Sequence, residues 1–239
     1  VKKLSDAEKA CQYVGFPLVI KPADSSGQLG LSLVQDPEKF LHAFETALSF
    51  SNQGVVIIEE WLEGPELNAV GVVLNGNIQS LVISDRETHP TQAFGVVQRH
   101  IFPANLTKKD FKDVEKLCTD VTGALEIENG IIFPQIILTK DGPVMVEFGE
   151  RIPGGIMKEL FEYATGYDLI DLQIDIALGK IKKIDAYKTI NKYASVVVKF
   201  INCQPGPLKA GYVSKMIGKE RMLKMDGILA ADYFFNPDK

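Results

Sequence analysis

A lysine at the end of an apolar run, followed by a glycine-containing loop, is the first pattern in this chain that could do chemistry. Lys21 follows Leu18–Ile20 and precedes a small polar loop at residues 23–30. An ammonium group there can reach phosphate oxygens, which the backbone N–H groups of such a loop can cover. The pattern is also typical of a lysine that extends into solvent beside an ordinary turn, and the Walker A spacing is missing. The candidate phosphate contacts are Lys21, Ser26, Gly27 and Gly30.

An acidic segment around the only tryptophan is the second candidate. Residues 59–66 read Glu-Glu-Trp-Leu-Glu-Gly-Pro-Glu, where an apolar strand runs into a short linker. Backbone N–H and C=O groups of a linker can pair with an adenine edge, and a carboxylate beyond it can accept hydrogen bonds from ribose hydroxyls. By itself, the segment fits a solvated edge with an aromatic anchor better than a nucleotide site. The candidate nucleotide contacts are Glu59, Glu60, Trp61, Leu62 and Glu66.

A carboxylate at the end of a strand, close to a double glycine, is the third candidate. Glu147 ends an apolar strand, and Glu150 and Arg151 then lead to Gly154-Gly155 and a helix start. Mg²⁺ prefers carboxylate oxygens together with phosphate and water, and arginine beside a helix N-terminus favours an anion. A surface pair between Glu150 and Arg151 with a glycine turn is the alternative. Because packing does not explain a strand-end carboxylate beside two glycines, this pattern favours a site.

The composition is that of a globular protein. The chain has 239 residues, enough for one large domain or two small ones, and it is 46% hydrophobic and 24% charged. These values exclude a disordered chain, a collagen-like repeat and a coiled coil. With 26 basic and 31 acidic residues the net charge is −5, so nucleic acid and an anionic membrane are poor candidates for the main partner.

The cysteines and the apolar runs predict a cytoplasmic protein. Cys11, Cys118 and Cys203 lie far apart, with no CxxC or Cys/His pattern, which favours a reducing compartment over a disulfide scaffold or a zinc site. No apolar run approaches the length of a membrane span. Since the sequence begins at Val1 directly before a helix signal, we expect it to be part of a longer protein.

The elements that must position these residues fall into two regions. Up to Glu59 the pattern predicts helix–strand–loop–strand–helix–strand, with helix starts at Ser5 and Asp36. From Glu66 it predicts an antiparallel sheet with packed helices, an α+β arrangement. Hairpin turns are predicted at 75–76 and 141–142, helix starts at Thr107 and Asp168, and a further strand over 193–201. Cys118 lies on the apolar stripe of its predicted helix, so we expect it in the core.

In order and spacing, the three candidate segments resemble the ATP-grasp superfamily over about residues 5–180. Within it the chain is most similar to the carbamoyl-phosphate-synthase-like group, which includes amino-acid (dipeptide) ligases. The matching segments are Gly15–Pro22 with the following loop, Glu59–Glu66, Asp141–Glu147, Arg151–Gly155 and Ala164–Asp168 with Ala177–Gly179.

The resemblance implies an α+β fold in which two subdomains clamp ATP. The implied boundaries are 1–62 for the N-terminal subdomain, 63–190 for the C-terminal subdomain and 191–239 for a partial C-terminal extension. The implied activity is that of an ATP- and Mg²⁺-dependent ligase. Such an enzyme phosphorylates a small-molecule carboxylate and lets an amine attack the acyl phosphate, giving an amide or peptide bond, ADP and phosphate.

The resemblance also implies a role for each candidate residue. Lys21 would bind phosphate under a lid at residues 27–30, and Glu66 would hold ribose. The residues that would frame adenine are Glu59, Glu60, Trp61 and Leu62. Arg151 would act with Lys21 on the phosphoryl group or the substrate carboxylate. The implied metal ligands are Glu147, Gln135 and Glu150, for Mg²⁺ or, as the alternative, Mn²⁺.

Three departures from the superfamily pattern bear on activity. Gln135 stands where a first metal-binding acid is usual, and its amide oxygen is a weaker ligand than a carboxylate. Gly149 has no side-chain ligand to offer, which leaves Glu150 as the substitute. Gln28 and Leu29 occupy loop positions where a basic or hydroxyl residue is common.

These departures keep alternative functions open. One is a nucleotide-biosynthetic ligase similar to glycinamide ribonucleotide synthetase, and another is a catalytically weakened, regulatory ATP-binding module. An α/β protein without a nucleotide site is the third. For an enzyme, the expected partners are the small-molecule substrates and a further N-terminal domain of the same protein, with a homodimer left open. Arg86, His89, Arg99 and His100 flank a loop that would face the substrate if they had a functional role, but a lone histidine beside a strand is more often a structural or exposed residue.

Overall fold

The chain divides into two units, residues 1–202 and 203–239. The computed structural model describes residues 1–88, 95–181, 194–201 and 217–232. The helices are α1 (Leu4–Val14), α2 (Phe40–Ser49), α3 (Lys108–Ala124), α4 (Met157–Thr165), α5 (Leu169–Ala177) and α6 (Lys219–Met222). The strands are β1 (Leu18–Pro22), β2 (Ser32–Val34), β3 (Val56–Glu60), β4 (Glu66–Leu74), β5 (Asn77–Thr88), β6 (Val97–Phe102), β7 (Gly130–Thr139), β8 (Gly142–Gly149) and β9 (Val196–Lys199).

A three-stranded antiparallel sheet, which we call the first sheet, carries the lysine. Its order is β2-β1-β3. Along β1, Leu18, Ile20 and Pro22 are buried, whereas Val19 and Lys21 alternate with them and are half-buried. Leu18 and Ile20 pack in one apolar cluster with residues of α1 and α2. Because side chains alternate along a strand, Lys21 lies on the face opposite this core.

A six-stranded antiparallel sheet, the second sheet, forms the larger region. Its order is β8-β7-β4-β5-β6-β9. One face packs against α3, where Leu67 and Ile83 meet Val114 and the fully buried Cys118, as predicted. The other face packs against α4 and α5 around Phe161. We call this second face the helix-pair face. The two apolar clusters hold β4 in the interior of the unit, with eight of its nine residues buried.

Two of the predicted helix N-caps are present in the structure, and the one at Ser5 is not. The Thr107 side chain accepts from Asp110 N–H in a reciprocal capping box at α3, and Asp168 accepts from two N–H groups at the start of α5. Both predictions are confirmed. The cap at Ser5 is wrong: α1 begins at Leu4, with Lys3 as an N-cap that makes no side-chain hydrogen bond. After Asp36 a 3₁₀ turn comes first, and α2 begins only at Phe40.

The region around Arg99 and His100 is a strand, which the sequence analysis missed. The residues predicted to flank a loop lie on paired strands instead of outside the sheet, because β5 extends to Thr88 and β6 pairs with β5 on one side and β9 on the other. The run Val-Gln-Arg-His-Ile-Phe is too polar to stand out as an interior strand. His89 and residues 182–193 lie outside the described residues, so what was predicted there is not tested.

The turn at 75–76 joins β4 to β5, as predicted, whereas the turn between β7 and β8 lies at 140–141, one residue before the predicted 141–142, because Gly142 already pairs with Thr139 as the first residue of β8. The domain boundary at 190/191 stays a prediction, although β9 beyond it forms the edge of the second sheet. Over the described ranges, none of the helices has the length and apolar character needed to traverse a bilayer.

Candidate functional site

Lys21 and Glu59 form an ion pair on the open face of the first sheet. Lys21 Nζ lies 2.8 Å from Glu59 Oε2, and their side chains are 22% and 37% exposed. In the ladder between β1 and β3, Lys21 stands opposite Ile57 and Glu59 opposite Val19. The two residues are therefore diagonal neighbours on one face, close enough for long side chains to meet. The structure thus joins the first two candidate segments.

The glycine loop at residues 23–30 is fastened at its base. Asp24 accepts hydrogen bonds from Ser51 Oγ at 2.5 Å and from the Gln53 N–H at 2.9 Å. The bond from Ser51 is the largest cause that holds the pKa of Asp24 below its usual value. Gly30 has φ +77°, and a Cβ there would lie 2.8 Å from Pro22 Cγ. Position 30 therefore requires glycine, whereas a Cβ at Gly27 would meet nothing within 4 Å.

The tip of this loop reaches the second sheet. Gln28 Nε2 donates to the carbonyl oxygen of Gly95, which lies just before β6. The same carbonyl accepts from Arg86 Nη2 at 2.7 Å. The glycine loop therefore contacts the second sheet beside β5.

The acidic linker continues from β3. Glu60 is exposed and ends the strand, and Trp61 and Leu62 are half-buried. The Trp61 N–H donates to the Pro17 carbonyl at 3.2 Å, which ties the linker to the start of β1. The backbone of this linker is therefore held at the edge of the first sheet where β1 begins.

A row of polar side chains crosses three strands of the second sheet. Asn68 of β4 stands opposite Gln135 of β7, and Gln135 stands opposite Glu147 of β8. We call these three residues the oxygen row. Opposed residues share a face, here the helix-pair face, because Val70 and Phe133, two positions along their strands, pack there. Glu147 is exposed, Gln135 half-buried, and Asn68 only 4% exposed.

A β-bulge places Glu147 in this row. Met145 stands opposite Ile136, but Glu147 stands opposite Gln135, so Val146 is an extra residue in β8. Met145 accordingly packs in the cluster under α3. By strict alternation Glu147 would share that face with Met145; the bulge turns it to the opposite one. The sequence carries no signal for this shift.

The oxygen row fits a hard divalent cation, since carboxylate and carboxamide oxygens are the donors that Mg²⁺ accepts. Asn68 Oδ1 is buried and has no hydrogen-bond partner among the described residues. The described residues contain no cluster of three or more acidic, histidine or cysteine side chains suited to a metal. The oxygen row does not form such a cluster, because only one of its three side chains is a carboxylate and the other two are carboxamides.

Glu150 does not join the row in this structure. A Cβ on Gly130 would lie 3.7 Å from Glu150 Oε1, and Gly130 is five residues from Gln135 along β7, about 17 Å at 3.4 Å per residue. Arg151 lies with its guanidinium carbon 5.5 Å from the centre of the Phe133 ring. Glu150 and Arg151 line a surface cavity of about 280 Å³, together with Asn129, Gly130, Ile131, Ile152 and Gln173.

A second polar row lies beside the first. Glu66, Arg86 and His100 stand opposite one another on β4, β5 and β6. Arg86 Nη1 donates to Glu66 Oε2 in a largely buried ion pair. The predicted ribose ligand Glu66 is therefore held by an arginine that the sequence analysis placed at a loop. The hairpin register at 75–76 alone would set Glu66 opposite Asp85, and a register shift between Val72 and Val73 brings it opposite Arg86 instead.

His100 is a buried, neutral imidazole. It is 4% exposed, its Nδ1 has no partner among the described residues, and its ring meets Phe200 edge-on at 6.0 Å. Burial, and then the charge of Arg86, lower its pKa to about 4. Since it carries no charge at neutral pH, His100 does not supply a cation to bind a substrate anion.

Comparison with known proteins defines the class to which this fold and site belong. The sequence profile described as "Carbamoyl-phosphate synthase L chain, ATP binding domain" matches residues 1–184. The chain belongs to this family. The predicted ATP-grasp resemblance and the α+β fold are confirmed.

Two curated relatives are named as a synthase and a ligase. Dapdiamide A synthase of Enterobacter agglomerans is 23% identical over 94% of this chain and 54% of its own length. D-alanine–D-alanine ligase of Thermosipho africanus is 28% identical over 72% of this chain and 48% of its own length. The chain spans about half the length of these curated relatives.

Solved structures share the fold. An L-amino acid ligase from Bacillus licheniformis matches 80% of this chain and 46% of its own, with a TM-score of 0.61 and 22% identity. A biotin carboxylase from Campylobacter jejuni matches 76% of this chain and 41% of its own, with a TM-score of 0.64 and 20% identity. At this identity the likeness establishes the fold alone.

Proposed function

We propose that this chain is the ATP-binding part of an ATP- and Mg²⁺-dependent carboxylate–amine ligase. The observation that carries the proposal is the bulge at Val146, which sets the exposed Glu147 opposite the half-buried Gln135 on the helix-pair face. Family membership and the names of the relatives support it. Because the matches cover about half of each relative, the amine and carboxylate substrates are proposed only as classes. The cytoplasm is the proposed location.

Nucleotide binding is proposed for the first sheet and its linker. Lys21, held by Glu59 at 2.8 Å, would donate to phosphate oxygens. The N–H groups around Gly27 and Gly30 would cover the phosphates, and the linker at residues 60–62 would pair with adenine. The contacts of Lys21 and of the loop N–H groups are fixed donors near developing phosphate charge, and phosphoryl transfer depends chiefly on such positioning.

The oxygen row is proposed to hold the cation. Glu147 and Gln135 would hold Mg²⁺, which when bound supplies charge neutralisation at the phosphates. Arg151 would steady the phosphoryl group or the substrate carboxylate. In the proposed reaction a carboxylate oxygen attacks the terminal phosphorus and ADP leaves. The amine then attacks the acyl carbon, the phosphate leaves, and the nitrogen gives up its proton.

The test is ATP titration of the full chain with and without Mg²⁺, followed through the single tryptophan, Trp61. Lys21→Met should weaken MgATP binding at least about tenfold, because a charge-assisted phosphate contact is worth roughly 1.5–3 kcal/mol. Lys39→Met is the matched control, since Lys39 forms an exposed ion pair with Asp36 at 3.0 Å in the same region. Folded protein that binds no ATP, or equal losses in the two variants, would contradict the proposal.

A weakened regulatory module is the second candidate, and the single carboxylate of the oxygen row favours it. Such a module would bind MgATP without turning it over. ADP release in the presence of amino acids separates the two candidates: release that depends on both a carboxylate and an amine supports the ligase. Binding without any release supports the regulatory module.

A further inference from the structure

Two donors from different regions meet at one backbone carbonyl. The Gly95 oxygen accepts from Gln28 Nε2, which belongs to the glycine loop, and from Arg86 Nη2 at the end of β5. A carbonyl oxygen has two lone pairs, so these two donors use its full capacity. Arg86 also donates through Nη1 to Glu66. A continuous path of hydrogen bonds therefore runs from Gln28 through Gly95 and Arg86 to Glu66.

Both residues of the hydrogen bond between Gln28 and Gly95 have a positive φ. Gln28 has φ +66°, in the left-handed region that side-chain-bearing residues avoid. Such a conformation persists when the surrounding contacts over-determine it. Gly95 has φ +81°, and a Cβ there would lie 3.4 Å from Gln28 Cδ and from Leu31 Cδ2. The loop tip is thus packed directly against Gly95, and glycine is the residue that position 95 accommodates.

Arg86 is suited to transmit a movement between the two contacts. Its guanidinium is a rigid planar fork, so Nη1 and Nη2 turn together. The side chain is 11% exposed, which restricts it to few alternative positions. A shift of the Gly95 carbonyl would therefore turn the guanidinium and with it the carboxylate of Glu66.

We propose that the Gly95 carbonyl is a latch that couples closure of the glycine loop to the position of Glu66, with Arg86 as the positioning residue. The inference rests on the proposed function, in which the loop covers the phosphates and Glu66 holds ribose of the same nucleoside triphosphate. The latch then links the phosphate and ribose parts of the ligand. Closing the loop orders the Glu66 carboxylate that holds ribose, and an ordered Glu66 carboxylate in turn favours the closed loop. Gln28, where the superfamily commonly has a basic or hydroxyl residue, becomes the donor that closes it.

The first experiment needs no ligand. Amide hydrogen exchange of the full chain is followed by mass spectrometry in the wild type, Gln28→Leu and Gln28→Asn. Leucine cannot donate, and asparagine tolerates a positive φ but is too short to reach Gly95. Both variants should increase exchange at residues 24–31 by about threefold to tenfold, the range set by the loss of one hydrogen bond. Gln12→Leu, on the exposed side of α1, is the matched control and should change nothing there.

The asparagine variant separates the latch from backbone strain. If Gln28 mattered only through its φ, Gln28→Asn would protect the loop more than the wild type does. Unchanged or increased protection in Gln28→Asn therefore overturns the latch. So does a loop that exchanges in the wild type as fast as an unprotected peptide.

The second experiment measures coupling. The dissociation constant of MgATP is determined for the wild type, Gln28→Leu, Arg86→Lys and the double variant. Lysine has no fork and can keep only one of the two contacts of Arg86. The latch predicts that the double variant loses less affinity than the sum of the two single losses, whereas two independent contacts would give additive losses. Additive losses overturn the coupling.

The two experiments also distinguish failure of the latch from failure of the proposed function. If the wild type binds no MgATP, the proposed function fails, and the exchange experiment still decides whether Gln28 closes the loop onto Gly95. If MgATP binds and the exchange is unchanged in both Gln28 variants, the proposed function stands and the latch is wrong.

Discussion

The two sheets bring their polar side chains together in different ways. In the first sheet, Lys21 and Glu59 lie on neighbouring strands, each in strict alternation with residues that pack in the core. In the second sheet, the oxygen row needs three strands and an extra residue at Val146. Alternation alone places the first pair, because one buried face fixes the other. The second arrangement depends on a register that no short stretch of sequence contains.

The ion pairs of the two sheets also differ, in how accessible they are to a ligand. Lys21 and Glu59 remain accessible to a ligand, with exposures of 22% and 37%. Arg86 in the second sheet is buried between Glu66, the Gly95 carbonyl and His100. The first pair can exchange its partner for a phosphate at modest cost. The second holds several groups in place, which suits a positioning role.

The largest expected effect concerns the buried histidine, which only the second sheet has. Its pKa lies at about 4, against 6.5 for the unperturbed group, so the unfolded state binds the proton more tightly than the folded state. Stability is therefore retained above pH 6.5 and lost as the pH falls towards 4. Between pH 6.5 and 4.5 this group should remove about 2 kcal/mol.

Urea unfolding at the two pH values measures this loss in the wild type, His100→Phe and His42→Phe. The exposed His42 of α2 is the control and should leave the loss unchanged, whereas His100→Phe should reduce it by about 2 kcal/mol. An equal pH dependence in all three proteins would contradict the assignment of the pH sensitivity to the second sheet.

The next effect sharpens the comparison at the oxygen row. Gln135→Glu places a second carboxylate opposite Glu147, and cation affinity rises with ligand charge. We expect Mn²⁺, used as a paramagnetic probe, to bind about tenfold more tightly, a difference of roughly 1.4 kcal/mol. Gln79→Glu on β5 is the control, because Gln79 lies near the opposite end of the sheet. An equal gain in both variants would show that net charge, not the row, attracts the cation.

The smallest expected effect is the difference between two predicted N-caps: Asp168, which caps α5, and Ser5, which does not cap α1. Asp168 accepts from the Ile170 and Asp171 N–H groups, and these bonds are the largest causes that lower its pKa. Asp168→Ala should cost about 1 kcal/mol of unfolding free energy, the usual loss for an N-cap. Ser5→Ala should change it by less than about 0.5 kcal/mol, since Ser5 lies inside α1. Equal losses in thermal or urea unfolding would contradict this contrast.

The sequence by itself determined the local features of this protein. The turn residues at 75–76, the caps at Thr107 and Asp168, and the alternation around Lys21 were enough to predict two regions, while the order and spacing of the candidate segments carried the resemblance to the ATP-grasp superfamily. Each turn, cap and alternation signal is contained within a few neighbouring residues, so it survives in the sequence as a readable pattern.

Only the tertiary structure decided how the site is assembled. The bulge at Val146, the pairing of β6 and the meeting of Gln28 with Arg86 at Gly95 join residues far apart in the chain. Such register is set by which side chains pack together between strands and helices. Because a shift of one residue turns every following side chain to the other face, that packing places Glu147 beside Gln135.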